Sequence, residues 1–203
     1  MFDTLIIGGG ASSMSCALVL GSAYKKPFAS EKKIGIIAHQ KASSLQNGIY
    51  NNAYGITPGK LGSELLTESK THLATLYPHV LQIDNEKVLS ISKHENYFEV
   101  VTNKNTYTTK IAIIGIGSGN PLTIEGLEPF VMPHQKALPQ KNRIQLQNND
   151  HLVIEGLYAI GTLAGHRSQL SIAAGSGASV AGDILTLWND GNHAQVHDAV
   201  DKD

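Results

Sequence analysis

Three consecutive glycines, Gly8, Gly9 and Gly10, separate the apolar run DTLIIG (residues 3–8) from a second run of small and apolar residues that begins at Ala11. Few folds take a buried strand that turns at once into a helix. The pattern predicts a strand over 3–8, a helix from Ala11 to about Tyr24, and a second buried strand at KIGIIA, 33–38. Strand, helix, strand is the parallel crossover unit, which places the chain in the α/β class.

The turn reads Gly8-Gly9-Gly10-Ala11-Ser12-Ser13, which is G-x-G-x-x-G with Ser13 in the third place. In such a turn the first glycine allows the tight bend, and the second lets backbone approach a diphosphate. The third position asks for a small residue where helix packs on strand. The diphosphate sits on free N–H groups at the helix start, where the helix dipole favours negative charge. Dinucleotide binding is therefore the expectation, against a bare strand–helix turn. One element is missing. About 20 residues on, such sites carry an Asp or Glu for the ribose hydroxyls. Here the position holds Ala38, followed by His39 and Gln40, each able to make one neutral hydrogen bond in its place.

Composition excludes several classes. With 16 basic and 17 acidic residues the net charge is −1, which gives no basic surface for nucleic acid. No uninterrupted apolar segment is long enough to suggest a membrane span. The N-terminus has no basic start, carries Asp3 and is broken by glycines, so it reads as part of the fold and the expected location is cytoplasmic. Cys16 is the single cysteine, which rules out an intrachain dithiol pair and reads as a buried, inert thiol.

Beyond the crossover unit, residues 41–60 read as a long loop and 61–77 as a helix stopped by Pro78, with its leucines in the core. HVLQI reads as a third parallel strand and 86–110 as an antiparallel meander. The meander feeds IAIIGIGSG, a buried strand ending in Gly115, Gly117 and Gly119; Pro121 argues against a helix after it. Residues 128–155 read as a connector with one short strand near RIQLQ. GLYAIGTLAG is a last strand and turn, and 168–188 a helix whose N-terminus points at the same site. Residues 1–188 thus form one domain and 189–203 a polar tail. His193 and His197 in that tail read as exposed, and no metal site is expected. His166 and Arg167 read as loop surface, with contact to a phosphate or substrate as the alternative.

Taken in order, the glycine box, the meander, the glycine-ended strand and GLYAIGTLAG…Q…AAGSGASVA resemble the FAD-binding domain of the thioredoxin-reductase-like flavoproteins. That resemblance implies a Rossmann-like parallel sheet with helices on both faces and a small β-meander, with FAD as cofactor. It implies cofactor contacts at Gly8, Gly10, Ala11, Ser13, Gly117, Gly161, Thr162, Gln169 and Leu170. Gln46 and Asn52 fall in the loop that passes near the flavin ring in the family, and Val88 offers backbone to adenine. The departures are equally specific. The family inserts an NADPH domain, usually with a C-x-x-C pair, before the last motif; here fewer than 30 residues separate Leu127 from Gly156. The acid that follows Gly161 in the family is Thr162 here.

The expectation is a minimal FAD-binding flavoprotein of oxidoreductase type with no assignable catalytic acid or base. Electrons would come from a redox partner protein, from the second subunit of a homodimer, or from a substrate docking openly on the flavin. The alternatives are a non-catalytic FAD or adenine-nucleotide module, one half of a two-protein redox system, and a relative that binds no nucleotide. The retained glycines argue against the last.

Overall fold

The computed structural model describes residues 1–38, 43–194, 196 and 197. Its strands and helices are β1 (Phe2–Ile7), α1 (Ala11–Ser22), β2 (Ile34–Ile37), β3 (Ile49–Tyr50), β4 (Lys60–Leu61), α2 (Gly62–Leu76), β5 (Leu81–Ile83), β6 (Val88–Lys93), β7 (Phe98–Thr102), β8 (Thr106–Ile114), β9 (Val131–Pro133), β10 (Ile144–Leu146), β11 (Leu152–Ile154), β12 (Leu157–Ala159) and α3 (Leu170–Trp188).

The main sheet runs β11-β12-β8-β1-β2-β5, with β12, β8, β1, β2 and β5 parallel. Antiparallel β11 closes one edge, and the β6–β7 hairpin joins through β7 on β8. Alternation along the strands divides the core. Ile6, Ile34, Ile36, Ile111 and Ile113 face one side, while Leu5, Ile7, Ile37, Ala112 and Ile114 face the other. Central strands buried on both faces explain the near-continuous isoleucine runs.

The Rossmann-like sheet and the meander match the expectation, but the layers are distributed differently. All three helices contribute to the cluster on one face. The opposite face is covered by the meander and the chain that follows β8, through Val100, Ile124, Leu127 and Leu146. The cause is length: only one crossover before the meander carries a full helix beyond α1, and the connector from 128 supplies short strands instead.

The α1–α3 contact is close because it is built from small residues. A Cβ on Gly177 would stand 1.9 Å from the Ser12 carbonyl oxygen. By length and composition α3 is the one described helix that reaches a membrane span. Its Val180, Ala181, Ile184 and Leu185 are fully buried in the helical-face core.

Four local readings are corrected. The connector holds two strands, β9 and β10, paired antiparallel, because Val131–Pro133 supplies a partner that Pro129 before it and Pro133 within it hid. A further strand, β11, precedes β12. Within the 41–60 loop, β3 and β4 form a small ribbon. Of the leucines over 61–77 only Leu73 is fully buried, and Leu61 and Leu76 are exposed, because α2 lies at the rim and turns one stripe inward. As expected, α3 ends at Trp188 and His193 and His197 are exposed, while Ala194 packs into the core with its N–H donating to the Thr186 hydroxyl.

Candidate functional site

The carboxyl ends of β1, β8 and β12 converge where strand order reverses, with β2 on one side of β1 and β8 on the other. Open α/β sheets bind ligands at that point. A cavity of about 620 Å³ lies there. Gly8, Gly9 and Gly10 enter it from β1, Gly115 to Gly119 from β8, and Gly161 and Thr162 from β12.

Gly8 takes φ +122°, and a Cβ there would stand 2.4 Å from the Gly115 carbonyl oxygen. Its bareness lets the two loops meet. The Gly115 N–H donates to the Ile7 carbonyl at 2.8 Å, and the Ser13 hydroxyl to the Gly115 carbonyl at 3.3 Å. Gly10 is bare for another reason. It caps α1 in an extended conformation any residue adopts, and a Cβ would meet only Ser43 Oγ, at 3.3 Å. Open space beside a glycine at a cavity wall is what a closely approaching ligand requires. No side chain caps α1 and no acid stands in its first turn. The second helix start, at Gln169 and Leu170 of α3, lies on the same wall with neither cap nor acid. Two N-terminal dipoles and two glycine loops thus face one space suited to a diphosphate.

The sequence-derived residues divide clearly. Gly8, Gly10, Ala11, Gly117, Gly161, Thr162, Gln169 and Leu170 line the cavity. Ser13 stands behind the wall as a buried brace between α1 and the β8 loop. Val88 is fully buried in the core under the meander. Gln46 and Asn52 are exposed, and their loop reaches the cavity through Leu45 and Tyr50 instead. His39 and Gln40 lie outside the described residues, beyond Ala38.

Two further groups stand at the site, of which the sequence offered only His166 and Arg167, as the alternative to loop surface. His166 lines the cavity, and its Nε2 lies 3.0 Å from that of His151. His151 Nε2 is also 2.9 Å from Ser176 Oγ, which accepts from the Gly161 N–H at 2.8 Å. Burial, then the His151 and Lys136 charges, hold His166 below the ordinary histidine value, with Asp150 opposing. The second group is cationic. Lys136, Lys141, Arg143 and Arg167 line the cavity, and no acidic residue does among those described. A signal was available: from Pro129 to Asn149 the chain carries two lysines, one arginine and no acid. Cys16 is fully buried in α1, away from the cavity, and burial pushes its thiol far up.

Residues 2–176 match the family model for pyridine nucleotide-disulphide oxidoreductases. A search of curated protein sequences returns no match. Among solved structures the chain is similar to a thioredoxin reductase from Gloeobacter violaceus, with TM-score 0.74 and 14% identity over 98% of this chain and 99% of that one. It is similar to an oxidoreductase from Agrobacterium tumefaciens, with TM-score 0.67 and 13% identity over 90% and 96%. A ferredoxin-flavin thioredoxin reductase from Clostridium acetobutylicum gives TM-score 0.67 and 16% identity over 93% and 98%. At these identities the likeness is one of fold; the family assignment rests on the sequence match. The family is one of FAD-binding flavoproteins, and the glycine-walled cavity with two uncapped helix starts fits the FAD diphosphate. A glycine turn opening α1, a sheet that reverses at β1 and a matched span of residues 2–176 agree: this chain belongs to the pyridine nucleotide-disulphide oxidoreductase family.

Proposed function

We propose that this chain is a single-domain FAD-binding flavoprotein of oxidoreductase type that works without a nicotinamide domain or a redox disulfide of its own. The observation that carries the reading is the meeting of the α1 and α3 starts with the glycine loops in one cavity. When bound, the flavin supplies the redox chemistry. The chain's part is to hold and orient it. Gly10, Ala11 and the first N–H groups of α1 bind the diphosphate. Gly161, Thr162 and the start of α3 bound the far side. His166, whose value burial lowers, lines the cavity and is a group able to take or give a proton there.

Electrons reach such a site from outside the chain: from a redox partner protein, from the second subunit of a homodimer, or from a substrate docking directly. Cys16 relays none, being single and buried. A second reading has one feature in its favour. Ala38 and Thr162 stand where the resemblance expects carboxylates, and each lost charged hydrogen bond costs about 1.5–3 kcal/mol of ligand binding. On that reading the chain is a non-catalytic FAD module or one half of a two-protein system.

The test is the visible absorption spectrum of the purified protein and of its heat-released supernatant, followed by anaerobic addition of NADH or NADPH. Flavin bands that bleach support the oxidoreductase. Bands that persist support the module. A colourless protein that takes up no added FAD overturns both.

A further inference from the structure

We propose that the connector between β8 and β12 forms a second, anion-binding subsite in this cavity, which takes the phosphate group of a phosphorylated small molecule beside the flavin. The inference rests on the flavoprotein reading for the word "beside", and on the connector together with Arg167 after β12 for the site itself.

Four permanent cations, Lys136, Lys141, Arg143 and Arg167, line one cavity, and none makes an ion pair among the described residues. Three lysines outside the cavity do have carboxylate partners: Lys60 with Glu64 and Glu68, Lys70 with Asp84, and Lys110 with Asp3. Overall charge is nearly balanced, so a cavity wall with four cations and no acid is a local excess. The FAD diphosphate carries one negative charge on each phosphorus atom, and on the flavoprotein reading the two helix starts would face it. Four side-chain cations exceed what it needs.

The connector is also held firmly enough to present its charges. The Ile144 N–H donates to the Ser118 carbonyl at 3.1 Å, and the His134 N–H to the Arg143 carbonyl at 2.9 Å. The Asn120 and Asn142 side chains bond at 2.9 Å. Gln145, 6% exposed, accepts from the Gln135 N–H at 2.9 Å and packs against Gly165, beside His166 and Arg167. These bonds tie Arg143 and the 134–136 turn to the β8 loop and to the loop after β12, which both border the cavity. Arginine reads phosphate through two parallel N–H bonds, while lysine adds a point charge. A doubly charged phosphate monoester or a diphosphate therefore suits the wall better than a singly charged carboxylate.

The experiment titrates the protein as purified with inorganic pyrophosphate, ADP and acetate, by calorimetry at low and at moderate salt, and measures flavin content in parallel. The variants are R143A, the pair K141A/R143A, and K104A as a remote control on the meander. The expected result is pyrophosphate binding to flavin-loaded protein that R143A weakens about tenfold or more, with flavin content unchanged and K104A silent. Tighter binding of ADP than of pyrophosphate identifies a nucleotide ligand; equal binding identifies the phosphate alone. Either supports the subsite. If the flavin-loaded protein binds neither ligand and R143A loses flavin instead, the cations serve FAD and the proposal falls while the flavoprotein reading stands. If the protein holds no flavin but binds pyrophosphate through Arg143, the subsite stands and the flavoprotein reading falls. Acetate binding as tightly as pyrophosphate overturns the phosphate assignment, and a flavin-free protein that binds no anion overturns both. Circular dichroism of R143A, whose side chain is exposed, confirms that a loss of binding is not a loss of fold.

Discussion

His166 Nε2 and His151 Nε2 face each other at 3.0 Å, so one ring must supply the proton between them. His151 Nε2 also stands 2.9 Å from Ser176 Oγ, which accepts from the Gly161 N–H, so the two rings and the hydroxyl form one connected chain behind the cavity wall. His151 Nδ1 is buried without a hydrogen bond, with Asp150 Oδ1 at 3.5 Å.

This arrangement makes stability depend on pH. Burial, ahead of the neighbouring cations, depresses the His166 value in the folded protein. The folded state thus favours neutral imidazole. Its contribution is complete above the unfolded value of about 6.5 and is lost as pH falls through the folded value below it. Urea denaturation between pH 8 and 5 is expected to show wild type losing stability across this window while His166→Gln loses less. Superimposable pH curves would remove His166 from the account.

Gly8 and Gly10 are expected to fail in different ways. Gly8→Ala forces a Cβ into the Gly115 carbonyl at positive φ and costs about 1–3 kcal/mol of stability by chemical denaturation. Gly10→Val sits in ordinary extended backbone facing the cavity. It should keep a denaturation midpoint close to wild type and lower flavin affinity about tenfold or more, read by fluorescence titration. Full flavin affinity in Gly10→Val would mean that no ligand approaches there.

Glu86 supplies an acid-range prediction. It is 7% exposed and accepts from the Thr102 hydroxyl at 2.6 Å, the Asn105 amide at 2.8 Å and the Tyr107 hydroxyl at 2.9 Å. The Thr102 bond leads in holding its carboxyl below the ordinary value. Its stabilisation is present above the unfolded value of about 4.3 and disappears as pH falls through the lower folded value. The stability gap between wild type and Glu86→Gln should be widest near neutrality and narrow steadily below pH 5. A gap independent of pH would place the effect in packing.

Helix α2 offers a contrast within one turn, between Leu73 and Leu76. Leu73 is fully buried and Leu76 is 54% exposed. Leu73→Ala is expected to cost about 2–5 kcal/mol, and Leu76→Ala within about 0.5 kcal/mol. Equal costs would show that something covers the outer stripe of α2 in solution.

Legibility followed the range of the interactions involved. The strand–glycine–helix start at residues 3–22 was readable because β1, the turn and α1 are contiguous, and each residue's role is set by neighbours within a few positions. The same holds for β5, the meander and α3. The second strand of the connector was not readable. Val131–Pro133 forms a strand only because β10 lies across from it, and Pro133 argues locally against pairing. The core status of α2's leucines failed for a related reason. Helical spacing names a stripe, but which leucines touch another element depends on how α2 leans on α1.

The site divides along the same line. By itself the sequence determined the glycine cradle, the helix start that faces a diphosphate, the missing carboxylates at Ala38 and Thr162, and the absence of a dithiol pair. These are properties of residue type and local spacing. Only the tertiary structure decided that Ser13 braces the wall rather than lining it, that His151 and His166 share a proton, and that the connector's cations turn into the same cavity as Gly10. Those relations join residues far apart in the chain, 102 positions for Ser13 and Gly115, and what brings them together is the burial of apolar strands in one sheet, which no local pattern encodes.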